Sequence, residues 1–186
     1  MLSQIQFPKK NIESHDAASG AAPDTIELLL GCHQRIRHFS GVGVRLANAQ
    51  GVAAPEIVQA AEGLIRYFSI ALPLHAQDED ESIHPRLLRF LPEGELARPA
   101  SDTMVEQHQE IDRILEALLP LWTILQAAPA RLYELAPELR GLSARLDDLF
   151  RDHLEMEEQT IFPAMRAYVP ATELEAIAQE MKARRK

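Results

Sequence analysis

Two stretches of this chain carry the same metal-type side chains at the same spacing. In residues 153 to 165, HLEMEEQTIFPAM, His153 and Glu157 stand four apart within a helical apolar rhythm, so both leave the same helix face. A neutral imidazole and a carboxylate on one face form a suitable ligand pair for iron, manganese or zinc. One HxxxE arises easily by chance, but a second lies upstream. Residues 75 to 87 read HAQDEDESIHPRL, and a shift of 78 positions (75 to 153) sets His75 on His153 and Glu79 on Glu157. The same shift sets Asp80 on Glu158, Ile83 on Ile161 and Pro85 on Pro163.

Positioning these pairs requires helices. Asp24 is placed to cap a first helix, with Glu27 reaching back, and that helix runs to about Asn48. Pro55 opens a second helix, which Pro73 kinks just before His75 and which Pro85 and LPEGELARP (91–99) end. Ser101 is placed to cap a third helix, running to about Ala127. After AAPA and a helical turn at ARLYELA, Pro137 is placed to open a fourth, reaching about Ala167. TELE (172–175) repeats the capping-box pattern before a short fifth helix. No strand-like alternation exceeds a few residues. The expected fold is all-α: a loosely held arm over 1–22, an up-down-up-down four-helix bundle over 23–168, and a short C-terminal helix over 169–186.

A bundle core is built from positions spaced alternately three and four apart. The first helix gives Ile26, Leu29, His33, Ile36 and Ser40; the second gives Ile57, Ala61, Leu64, Phe68, Ala71, His75 and Glu79. The third gives Met104, His108, Ile111, Leu115, Leu118, Trp122 and Leu125. The fourth gives Leu139, Leu142, Leu146, Leu149, His153, Met156 and Thr160. Each helix thus places one histidine in its apolar stripe. One such histidine is usually an ordinary core residue, but four with two glutamates form a polar layer. Buried carboxylates without partners cost several kcal/mol each, and a pair of cations removes that conflict. In antiparallel helices, early positions on the first and third lie level with late positions on the second and fourth. His33, His75, Glu79, His108, His153 and Glu157 can therefore meet in one layer. His38, about 140° round from His33, reads as a surface residue or an outer neighbour of the site, and His84 as an end-of-bundle residue. Asp112 reads as an outer neighbour of His108 or an exposed charge; Asp78, Asp80, Glu81, Glu155 and Glu158 read as solvated charge.

The 186 residues suit one domain, and 46% hydrophobic content is globular. Net charge −9 speaks against a nucleic-acid partner, and no apolar run of membrane-spanning length or secretory h-region is evident. The single cysteine, Cys32, fits a reducing compartment, so the expected location is cytoplasmic. Oligomeric state is open, a homodimer included.

The constellation of His33, His75-x-x-x-Glu79, His108 and His153-x-x-x-Glu157, followed by EEQTIFP, resembles the hemerythrin-like HHE cation-binding domains over about residues 24 to 167. HQRI around His33 and HQEI around His108 echo each other, as in two copies of a helical hairpin. The resemblance implies a non-haem di-iron centre with an oxo or hydroxo bridge, with manganese and zinc fitting the same ligand types. Glu79 and Glu157 would bridge the ions, and the four histidines would be terminal ligands. One open position per ion would meet O₂, NO or peroxide, in sensing, iron handling or oxidative or nitrosative stress defence. The oxygen-carrying hemerythrins place HxxxH on the third helix and HxxxxD on the fourth; here His108 precedes Asp112 and the fourth helix reads HxxxE. The pattern is closer to the iron-centre-repair proteins, which usually carry an N-terminal cysteine that residues 1 to 23 lack. Binding and turnover, as a peroxide or NO reductase or an oxidase, both remain open. A metal-free structural bundle is the third reading.

Overall fold

The structure, a computed structural model, describes residues 24–186. The arm expected over 1–22, with His15, lies outside the described residues. Five helical rods follow: α1 (Thr25–Ala47), α2 (Ala54–Phe90), α3 (Ala97–Ala127), α4 (132–168) and α5 (Ala171–Arg184). No strand occurs among the described residues. From α1 to α4 consecutive rods pack side by side, α1 also packs on α4 to close an up-down-up-down ring, and α5 lies against α1 and α2. Asp24 caps α1 by accepting the backbone N–H of Glu27 at 2.7 Å. Gly51 and Gly94, at φ 65° and 116°, make the turns that bring α2 and α3 back.

Several expected boundaries move. Pro85 does not end α2, which continues to Phe90, and Ser101 is not a cap: α3 begins at Ala97. Ser101 is buried one turn inside α3, 2.6 Å from His84 Nδ1, which places His84 at the end of the bundle. Pro137 does not open α4. The helix starts at Leu132 and carries Pro137 on its exposed face, where water reaches the carbonyl that the proline leaves unbonded. Thr172 caps nothing, because α5 already begins at Ala171 after Pro170.

Three π-turns interrupt the rods: Tyr67–Ala71 and Asp78–Ile83 in α2, and Glu157–Ile161 in α4. Each stands two residues before a proline: Pro73, Pro85 and Pro163. A widened turn takes up the missing N–H and the bulk of the ring, so the rod continues. It also resets the buried stripe. In α2 the stripe passes from Phe68 to Leu72, leaving the expected Ala71 exposed, and then meets His75 and Glu79. In α4 the buried line runs through Leu139, Ser143, Leu146, Phe150, His153 and Glu157; Leu142, Leu149, Met156 and Thr160 are only half-buried.

The apolar core is divided in two. One cluster, around Ile36, Leu64, Phe68, Ile111, Trp122 and Phe150, fills the half of the bundle away from α5. The other, around Leu29, Ile83, Leu87, Met104, Ile161 and Met165, includes Ile177 and Met181 of α5. The layer of buried histidines and glutamates separates them. An 18-residue window of α2 reaches mean hydropathy 1.2, so this one helix is apolar and long enough to cross a membrane, contrary to the sequence reading. That average reflects Ile57, Leu64, Phe68 and Leu72, which belong to the bundle core.

α5 is fastened by polar contacts. Thr25 Oγ1 donates to the Leu174 carbonyl at 2.5 Å, and Arg86 reaches Glu173 and Glu180 at 2.9 and 2.7 Å. Asp78 was expected to be solvated, yet it is fully buried, with Arg184 at 2.9 Å on one oxygen and Arg185 at 2.5 Å on the other. Removing both cations leaves a buried carboxylate unpaired. Arg184→Ala/Arg185→Ala should cost about 3 kcal/mol in urea denaturation, while the double lysine variant keeps most of the stability. Equal midpoints for the alanine variant and the parent would show that Asp78 does not need the arginines.

Candidate metal centre

All six residues singled out by spacing come together, each at most 8% exposed. His33 Nε2 lies 3.0 Å from Glu157 Oε2, and His153 Nε2 lies 3.0 Å from Glu157 Oε1. His75 Nε2 lies 3.1 Å from Glu79 Oε1, and His108 Nε2 lies 3.1 Å from Glu79 Oε2. Each glutamate therefore turns one oxygen to a histidine of each hairpin. The ligand atoms fall into two groups, each within 4.8 Å: His33, His75, Glu79 and Glu157 in one, and Glu79, His108, His153 and Glu157 in the other. Both carboxylates belong to both groups.

The outer ring nitrogens decide what the inner ones present. His33 Nδ1 is 2.8 Å from Glu158, whose carboxylate also accepts both terminal nitrogens of Arg37 at 2.9 and 3.0 Å. His108 Nδ1 is 2.8 Å from Asp80, and His153 Nδ1 is 2.9 Å from Gln107 Oε1. Partners that only accept draw the ring proton to Nδ1 and leave Nε2 as a lone pair facing a carboxylate oxygen. Two lone pairs 3.0 Å apart repel unless a proton or cation lies between them. Donors about 2.1 Å from one ion and at right angles to each other are separated by about 3.0 Å. Seven of the eight inward-facing atoms, all but His153 Nε2, are sealed from solvent without a hydrogen-bond partner among the described residues. The donor set fits a pair of metal ions.

Comparison with known proteins also points to cation binding. The family model described as Hemerythrin HHE cation binding domain matches residues 24–163 and, overlapping, 100–185. The chain belongs to this family. A DNA nickase of Nostoc sp. is 30% identical over 112 residues, covering 60% of this chain and 27% of the nickase. The chain thus spans about a quarter of that relative's length. An uncharacterized protein of Haemophilus influenzae is 26% identical over 170 residues, covering 87% of this chain and 90% of that one.

The charges of this HHE centre are unevenly settled without metal. Burial, and then the facing charge of Glu157, push Glu79 up to about 8. Burial works to raise Glu157 as well, but His153, His33 and His75 outweigh it and hold it low. Burial opposes charge on His108, yet Asp80 and Glu79 overcome it and lift His108 to about 10. His33 is raised in the same way: Glu157 leads the groups that outweigh its burial. His75 and His153 are lowered by burial, His153 to about 4. Burial thus favours the neutral ring at His75 and His153 while the facing acids favour charge at His33 and His108, so protons satisfy only part of the layer.

Sequence reasoning missed the outer partners. Asp80 and Glu158 read as solvated charge in the sequence, although the repeat that aligns Glu79 with Glu157 also aligns these two. Gln107 had no signal beyond standing next to His108. Asp112 is exposed and lies at the rim of an apolar cavity walled by Phe68, Leu72, Ile111 and Phe150, which His75, His108 and His153 also line. His38 is half-buried against Phe39 and does not join the cluster.

In metal-free protein, Glu79 keeps its proton to about pH 8, whereas the unfolded chain loses it near 4.5. Between these values the folded state holds the extra proton, so this group's contribution to stability falls as pH rises and levels off above about 8. Glu79→Gln removes that dependence. In the presence of chelator, its melting temperature relative to the parent should climb from about pH 5 to about pH 8 and then stay flat. A constant difference across the range would mean that Glu79 is not held protonated.

Proposed function

We propose that the chain binds two iron ions between Glu79 and Glu157 and presents them to a small ligand, O₂, NO or peroxide, in sensing, iron handling or stress defence. The observation that carries this reading is the one-to-one facing of four histidine Nε2 atoms and four glutamate oxygens at 3.0–3.1 Å, with protons enough for only part of them. His33 and His75 would hold one ion and His108 and His153 the other. When bound, such a pair supplies Lewis acidity and one-electron chemistry. The chain's own residues do the rest: Glu158, Asp80 and Gln107 orient three of the rings, and Phe162 stacks on His33 at 5.2 Å. The apolar cavity beside His75, His108 and His153 has room for one or two water-sized molecules, which suits a diatomic. A cytoplasmic setting without membrane partners belongs to the same reading. DNA cleavage is not proposed: the shared region is a minor part of the nickase, and a net charge of −9 opposes a phosphate backbone.

Protein made in iron-supplemented cells should contain two irons per chain and absorb in the near UV as a bridged di-iron centre. His153→Ala and Glu157→Ala should lose most of that metal. Loading should stabilise the fold by linkage, by about 2.7 kcal/mol when free metal is a hundred times its Kd, and so raise the melting temperature. Metal-free protein under these conditions, with a melting temperature unmoved by Fe²⁺, would favour a structural bundle instead. Turnover of peroxide or NO with an added reductant, abolished in Glu157→Ala, would make the protein an enzyme.

A further inference from the structure

The internal repeat lets the two metal positions be compared residue by residue. Positions on α1 precede their counterparts on α3 by 75 (33 to 108), and those on α2 precede those on α4 by 78 (75 to 153). The inner ligands are alike: two histidine nitrogens and two carboxylate oxygens each. The surroundings are not.

Glu158 and Asp80 are counterparts, and each faces a histidine Nδ1 at 2.8 Å. Glu158 is neutralised by the paired contacts of Arg37. The counterpart of Arg37 is Asp112, an acid in place of a base. It stands one turn past His108 on α3 and lines the same cavity as His108 and His153, where the His108 and Asp80 charges both act on it. The second pair of histidines differs as well. Gln107 accepts from His153 Nδ1 at 2.9 Å. Its counterpart is Cys32, whose sulfur instead accepts from Arg35 at 3.1 Å. His75 Nδ1, buried beside the cavity that Cys32 also lines, has no partner among the described residues.

The position between His33 and His75 thus has a compensated carboxylate and one imidazole without an outer acceptor. The position between His108 and His153 has two carboxylates without a compensating cation among the described residues, and an acceptor behind each ring. An acceptor on Nδ1–H makes the imidazole a stronger ligand, and nearby negative charge stabilises a cation. Both differences favour the same side. We infer that the two metal positions are inequivalent: the His108/His153 position takes up a divalent cation more tightly, and the residues Arg37, Asp112, Cys32 and Gln107 set the difference. This rests on reading the six residues as a metal pair. Asp80 and Asp112 reach solvent, so salt should narrow the gap.

The test is titration of the metal-free protein with Co²⁺, followed by visible absorption and calorimetry. Two steps should appear, separated by about tenfold or more. Asp112→Asn should weaken the tighter step, and Arg37→Gln, which uncovers the Glu158 charge, should strengthen the weaker one. Cys32→Gln, by restoring an acceptor toward His75, should also strengthen the weaker step. Circular dichroism of each variant checks the fold. Two equal steps in the parent, or an Asp112→Asn effect confined to the weaker step, would overturn the inequivalence and leave the metal pair standing. No Co²⁺ uptake by the folded parent would overturn the metal pair itself.

Discussion

The structure depends on one conflict: four histidine Nε2 atoms set against four carboxylate oxygens, with too few protons between them, in a layer that water does not reach. Glu79 and Glu157 are both fully buried, and like charges so enclosed cannot both stay ionised without compensation. Apolar clusters on either side hold the layer closed, so stability comes from above and below it and not from within. A cation pair converts the same contacts from repulsion into ligation. The fold can tolerate such a layer because the two clusters contain most of the large apolar side chains, from Trp122 and Phe150 in one to Met104 and Met165 in the other.

The geometry of the layer is obtained by deforming helices. A regular helix advancing from Phe68 would have buried Ala71; the π-turn at Tyr67–Ala71 advances the stripe by one residue and brings Leu72 and then His75 inward. Glu79 and Glu157 themselves sit inside the other two π-turns. The prolines that follow cannot donate to the ladder, which makes the widened turn the cheaper arrangement at those positions. Proline, π-turn and ligand therefore form one local device, repeated because the hairpin is repeated. The buried Asp78–Arg184–Arg185 contact holds α5 against the π-turn that carries Glu79.

Much of this was legible in the sequence, and the exceptions share a cause. The four rods, their antiparallel order and the meeting of the six residues follow from period, breakers and axial level, because hydrophobic spacing is a strong signal over thirty residues. The starts of α3, α4 and α5 were misplaced because Ser101, Pro137 and Thr172 are permissive signals: a cap-type residue or a proline is also tolerated inside a helix when packing or solvent satisfies it. The stripe of α4 was read one position off at Leu149, since periodicity alone does not choose between Leu149 and Phe150. Asp78, Asp80 and Glu158 were read as solvated because their partners, Arg184 and Arg185, His108 and His33, come from helices distant in sequence. Charge pairing of that kind has no local period.

The repeat also explains why the site cannot belong to half the molecule. One hairpin offers two histidines and one bridging glutamate, so each cation position draws a carboxylate from the hairpin that does not supply its histidines. Neither half-site is complete alone, and closing the bundle completes both at once. Yet the partners behind the rings come from both hairpins: Glu158 of α4 orients His33 of α1, and Asp80 of α2 orients His108 of α3. A difference at these outer positions would change the surroundings of one cation position without touching a ligand. That freedom is what the Arg37/Asp112 and Cys32/Gln107 differences display. A symmetric set of inner ligands ringed by asymmetric outer partners would let a repeated hairpin make two like sites behave differently.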